Sequence, residues 1–183
     1  WTGSRHWGVQ PDFACTAKAV TNGYFPYGAV MVADAVAQVF ENDTSGRGAI
    51  SSGYTYSGHP VGAAAAIACL KETLRLQVKD NAAARGEQLF AGLQTLKAKY
   101  DLVGDVRGGH GLMCALELVS DHASKAPAGK PTMAVVHRSA YDHGAMIRVS
   151  GNNIILSPPL VLTEDNVNTI LGALDAGLAA ASD

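Results

Sequence analysis

Apolar positions along this chain recur with two different periods, and the switches between them predict the elements. Short apolar runs over 12–16 and 29–32 read as strands, and between them Gly23 and Gly28 flank Pro26, which predicts a tight bend. Ala35, Val36 and Val39 then predict a helix over 34–40, followed by a polar, Gly-rich loop through residue 52. Pro60 opens a longer predicted helix over 61–76, with Ala66, Leu70 and Leu74 on one face. Leu89, Leu93, Leu96 and Tyr100 predict an amphipathic helix whose last turn carries Lys97 and Lys99, where the helix dipole favours cations. Residues 101–119 alternate around Gly104, Gly108, Gly109 and Gly111, the pattern of two strands joined by a tight turn. After a polar loop over 121–130, Pro131 opens a helix with Met133, Val136, His137, Ala140 and Tyr141 on one face, and Gly144 stops it. Paired strands are expected over 145–149 and 153–157 around Gly151-Asn152. Thr163 then caps a final helix with Val167, Ile170, Leu174 and Leu178 facing inward.

Composition narrows the classes. With 183 residues, 48% of them hydrophobic and 16% charged, the chain can bury a real core and suits an α/β or α+β fold of one domain or slightly more. A net charge of -2 without basic clusters gives no footprint for nucleic acid or an anionic membrane, and no apolar run reaches the ~18 residues of a spanning helix. Cys15, Cys69 and Cys114 are odd in number and far apart, so they read as small buried hydrophobes in a reducing, cytoplasmic compartment. His137 and His143 have no carboxylate or cysteine at ligand spacing, so no metal is expected. The sequence begins at Trp1 in a turn-rich stretch over 1–10 without an initiator methionine, and is expected to be the carboxy-terminal portion of a longer polypeptide.

Three places along the chain carry candidate chemistry. Lys18 stands just past the first predicted strand among Phe13, Ala14, Cys15, Ala17, Ala19 and Val20. An amine desolvated there loses its proton more readily and can attack a carbonyl to form a Schiff base; the alternative is a lysine whose stem lies on the core while its ammonium reaches water. Thr55 and Ser57 precede the helix opened by Pro60, where hydroxyls and free N–H groups suit a phosphate, although Ser57 could equally be a plain N-cap. Arg148 lies between Ile147 and Val149 and offers a planar fork for a carboxylate, or simply faces solvent.

Thr16-Ala17-Lys18-Ala19 with Gly23-Tyr24 and Pro26-Tyr27-Gly28-Ala29, then Gly53-Tyr54-Thr55-Tyr56-Ser57-Gly58-His59-Pro60, then Met146-Ile147-Arg148 with Leu156-Ser157-Pro158-Pro159-Leu160, resemble the class III pyridoxal-phosphate-dependent aminotransferases, block by block and in order. The resemblance implies the fold type I α/β architecture: the end of the large parallel-sheet domain over 1–62, a connecting helix over 63–80, and the small C-terminal α/β domain over 81–183. It implies that Lys18 forms the Schiff base with pyridoxal 5'-phosphate and moves the proton of the reaction. It also implies that Thr55, with Tyr54 beside it, reaches the cofactor phosphate of the neighbouring subunit in a homodimer with shared active sites, and that Arg148 grips the substrate carboxylate. The Tyr-Thr-Tyr-Ser-Gly-His-Pro loop is closer to the branch that uses amines or ω-amino acids with pyruvate, so an ω-transaminase acting on small-molecule amines and keto acids is expected. The alternatives are another class III enzyme, such as an aminomutase or a diamine or 4-aminobutyrate aminotransferase, or a dimerisation module without catalysis. The resemblance implies that the family's aspartate pairing with the cofactor's ring nitrogen, and its Gly-Ser phosphate loop, lie before Trp1.

Overall fold

A computed structural model describes residues 2–182 and divides the chain into two compact units, one up to Leu76 and one from Gln77 onward. Trp1, at the head of the expected turn-rich stretch, lies outside the described residues. Just after it, Thr2 caps a short helix α1 (Gly3–His6), its Oγ1 accepting from the Arg5 N–H at 3.3 Å.

In the first unit, β1 (Phe13–Thr16) and β2 (Ala29–Val32) form an antiparallel pair with Phe13 opposite Val32 and Thr16 opposite Ala29. Helices α2 (Asp34–Glu41) and α3 (Pro60–Arg75) follow, close to their predicted limits. Proline in the first turn of α3 sacrifices only an N–H that would have had no helical partner. The N-cap, however, is His59, and Ser57 does not cap the helix: its Oγ accepts from the Tyr54 N–H at 3.0 Å. Of the face read from Ala66, Leu70 and Leu74, only Ala66 is buried. The connecting helix expected over 63–80 is divided, because Gln77 takes a left-handed φ of 50° that ends one helix and starts another.

In the second unit, α4 (Val78–Lys99) leads into β3 (Val103–Arg107), β4 (Cys114–Asp121) and a two-residue β5 (Ala126–Pro127). Then come α5 (Lys130–Asp142), β6 (Arg148–Ser150), β7 (Asn153–Leu156) and α6 (Glu164–Ser182). The sheet runs β3-β4-β7-β6, with β5 on the flank of β4. Leu116 and Leu118 of β4 and Ile154 of β7 meet Leu89 and Leu93 of α4 and Leu174 of α6 in one core. Alternation on the strands and i, i+4 spacing on the helices put those residues on facing surfaces. Close approach is built in at Gly86, where any Cβ would overlap the carbonyl of Gly111 in the β3–β4 turn. The start of α6 is fixed reciprocally: Thr163 Oγ1 accepts from the Asn166 N–H, and Asn166 Oδ1 accepts from the Thr163 N–H.

Every strand pairing among the described residues is antiparallel. The parallel ladder expected of the large domain is therefore not formed among the described residues.

Candidate active site

Lys18 follows β1 as anticipated, with Ala17 extended between them and a single 3-10 turn over Lys18–Val20. Its φ is +52°, a region that costs a side-chain-bearing residue on the order of 1 kcal/mol or more and that tends to mark functional positions. The turn is held from below. The Thr21 side chain, 2% exposed, donates to the Phe25 carbonyl at 2.6 Å, and the Thr21 N–H donates to the Lys18 carbonyl at 3.2 Å. Cys69 of α3 donates to the Ala19 carbonyl at 3.5 Å, which fastens the turn to the helix. Two further positive φ values, at Asn22 and Gly23, bring the chain round to Phe25.

The expected apolar enclosure of Lys18 is not supplied by the described residues. Lys18 is exposed, as are Phe13, Cys15, Ala17 and Ala19, and its amine makes no hydrogen bond or ion pair among the described residues. The physical reason is the thinness of the unit: neighbours on an extended strand point to both faces, and the β1–β2 pair has no second layer to close them.

Tyr54 and Thr55 lie in a turn closed by the Ser57 N–H donating to the Tyr54 carbonyl at 2.9 Å, with Gly58 at φ +71° just beyond. Tyr54 is 86% exposed, and the exposed Thr55 hydroxyl has no partner among the described residues. This turn and the loop after Lys18 are brought together. The Phe25 ring sits 5.2 Å from the His59 ring, and a Cβ on Gly62 of α3 would come within 2.9 Å of Phe25 and 3.0 Å of Tyr27. Of two residues at this junction, sequence reasoning passed over Thr21 and read His59 as a structural hydrogen-bonding group and not as an acid or base. The Thr21-Asn22-Gly23 run was the available signal for the first; the second was visible only as a histidine before a helix-opening proline.

Arg148 belongs to the other unit, at the start of the edge strand β6, where it faces Ile155 across the ladder. It is exposed and makes no ion pair among the described residues, while its neighbour Ile147 is buried. Arg107 on the same sheet behaves differently. It donates to Glu117 at 2.7 Å and to Asp105 at 3.3 Å and also bonds Asn153, and its hydrogen bond holds the Glu117 carboxyl below the usual range. Arg107 is thus committed to the fold, whereas Arg148 has its guanidinium available. Among the described residues no group of three or more His, Cys, Asp or Glu could hold a metal, and no helix is long and apolar enough to cross a membrane.

An exposed lysine in a strained turn after a strand, an open threonine ahead of a helix and an uncommitted arginine meet a family model: residues 1–178 match the model described as aminotransferase class III. The chain belongs to the class III aminotransferases. It is 38% identical to an uncharacterized aminotransferase, y4uB, of Sinorhizobium fredii over 99% of this chain and 39% of the relative. It is 33% identical to a taurine–pyruvate aminotransferase of Bilophila wadsworthia over 96% of this chain and 40% of that one. Among solved structures, an amine transaminase from an uncultivated Pseudomonas species, in its PLP-bound internal aldimine form, superposes with a TM-score of 0.89 at 44% identity, covering 97% of this chain and 40% of that one. An (S)-enantioselective ω-transaminase from Thermomicrobium roseum gives a TM-score of 0.86 at 33% identity, over 99% and 40%. The fold is that of these fold type I transaminases, and this class III chain spans about 40% of the length of the relatives it matches.

Proposed function

We propose that the protein is a pyridoxal-phosphate-dependent transaminase that moves an amino group between an amine or ω-amino acid and a keto acid, with pyruvate as acceptor. Lys18 is its cofactor-anchoring residue. The observation that carries this reading is the state of Lys18: a lysine held at φ +52° beyond the end of a strand, its amine exposed and unpaired among the described residues, in a class III chain. The names of the taurine–pyruvate and amine transaminase relatives support the choice of substrates.

The residues present fit the cofactor. An aldehyde needs an amine not committed to a carboxylate, which Lys18 offers. A phosphate needs hydroxyl and N–H donors, which the open Thr55 hydroxyl and the start of α3, without a side-chain cap, offer. When bound, pyridoxal phosphate supplies the carbonyl carbon that receives an amine and a ring that withdraws electrons from the amino-bearing carbon.

The chain's own residues then divide the work. Lys18 Nζ binds as nucleophile and afterwards carries the proton taken from the amino-bearing carbon of the substrate. Thr55, with Tyr54 beside it, holds the phosphate of the neighbouring subunit's cofactor, so that the sites are shared in a homodimer. Arg148 binds a substrate carboxylate through two parallel N–H donors and is released from that duty when the substrate is a simple amine. On this reading the first unit is the end of the large cofactor-binding domain and the second is the small domain. The three cysteines are all free thiols, in keeping with a cytoplasmic enzyme.

Incubating the full-length protein with pyruvate and a panel of amines tests the reaction. Alanine should form in step with the ketone or aldehyde of the donor. No alanine from any donor, or isomerised amine without pyruvate, would contradict it.

A further inference from the structure

His59 holds the one buried side-chain polar atom without a hydrogen-bond partner among the described residues: its Nδ1 is sealed from solvent and unpaired. Such an atom loses its water without recompense, and an apolar ring of similar shape would avoid the loss. Packing alone therefore does not explain a histidine here. The ring lies 5.2 Å from Phe25, in the loop after Lys18, and 6.0 Å from Tyr56, in the turn that carries Tyr54 and Thr55. Residues 51–58 are all exposed, and the turn is closed by its own hydrogen bonds, so the half-buried His59 is the point at which it is tied to the body of the unit. The His59 N–H donates to the Tyr56 carbonyl at 3.2 Å, and its own carbonyl accepts from the Ala63 N–H at 3.1 Å, so one residue fixes both the end of the turn and the first turn of α3.

We propose that His59 is a positioning residue for the 54–57 turn: its ring fixes the turn against Phe25, and its unpaired Nδ1 gains its hydrogen bond from the turn itself when a phosphate-bearing ligand orders that turn. This rests on the reading of Thr55 as a phosphate contact. It goes beyond that reading by assigning part of the ligand's phosphate affinity to a residue that need not touch the ligand, and by predicting that this residue is kept at the expense of stability.

The test uses the full-length protein freed of cofactor, as wild type, His59→Phe and His59→Asn. Each is titrated with pyridoxal phosphate and with pyridoxal, which lacks the phosphate, and its melting temperature is recorded without ligand. Binding is read by absorbance and by borohydride trapping at Lys18 followed by peptide mass spectrometry, without recourse to turnover. His59→Phe should bind pyridoxal phosphate about tenfold more weakly, bind pyridoxal as the wild type does, and melt no lower. His59→Asn, which restores a polar atom near the Nδ1 position, should recover most of the lost affinity. Equal weakening toward both ligands, unchanged affinity for pyridoxal phosphate, or a lowered melting temperature without recovery in His59→Asn would overturn the role of His59. Failure of the wild type to bind pyridoxal phosphate at Lys18 would instead overturn the underlying assignment of the site.

Discussion

From Gln77 onward, Leu89, Leu93, Leu116, Leu118, Ile154 and Leu174 are fully removed from water, whereas before that point Phe13, Val30, Ile67, Leu70 and Leu74 stay exposed and Ala66 is the buried apolar residue of the unit among those described. The contrast is architectural. The second unit lays helices against a sheet and so has two layers to close on each other. The first has a two-stranded pair and one long helix, too few surfaces to enclose a core. Lys18, Tyr54 and Thr55 all belong to the open unit. On the proposed reading the cofactor-anchoring chemistry sits on the unit whose apolar surface is unfinished, and any desolvation of Lys18 comes from atoms beyond the described residues of that unit.

The sharpest way to break this comparison is to remove the reactive group from the open unit. In the full-length protein Lys18→Ala should lower turnover with pyruvate by at least about 1,000-fold while leaving the melting temperature nearly unchanged, because an exposed amine contributes little packing. A large loss of stability would mean that Lys18 is structural. Next in size is the core. Leu174→Ala, at a position 0% exposed, should cost about 2–5 kcal/mol in denaturant unfolding of this chain. Leu74→Ala, at a position 61% exposed, should stay within about 0.5 kcal/mol. Equal costs would show that the two units share one core.

Arg148→Ala should weaken catalysis with carboxylate-bearing donors by about 10- to 100-fold and leave simple amines nearly unaffected. A uniform loss would make the arginine structural. The smallest effect concerns acid. Lys99 Nζ lies 2.6 Å from Asp175 Oδ1, and together with the Tyr100 hydroxyl it holds the Asp175 carboxyl below the ordinary carboxylate range. Stability from this pair is fully present above that ordinary range and is lost as pH falls through the lowered folded value. Asp175→Asn should flatten the acid side of a stability–pH profile slightly; an unchanged profile would show that the pair contributes nothing.

Much of the fold was legible. The β2 strand, the start of α3 at Pro60 and the Thr163 cap of α6 follow from local rules that tertiary packing did not override. The end of α3 agrees with the helix read over 61–76, but the immediate start of α4 at Val78 was not legible, because it depends on one left-handed residue, Gln77, of a type that rarely adopts that conformation. Nor was the exposure of Leu70 and Leu74, since periodicity shows which residues share a face and not what lies opposite it. At the site, the position of Lys18 after a strand was readable, but its positive φ and the Thr21 lock beneath it were not, because both arise from the return of the chain to Phe25. Of the alternatives left open for Ser57, the N-cap fails because the hydroxyl serves the turn behind it, not the helix ahead.

The most direct test is borohydride reduction of the full-length protein loaded with pyridoxal phosphate, followed by peptide mapping. The account predicts a single pyridoxyl group, on the Lys18 peptide. Labelling of a different lysine, or none on a folded protein, would contradict it.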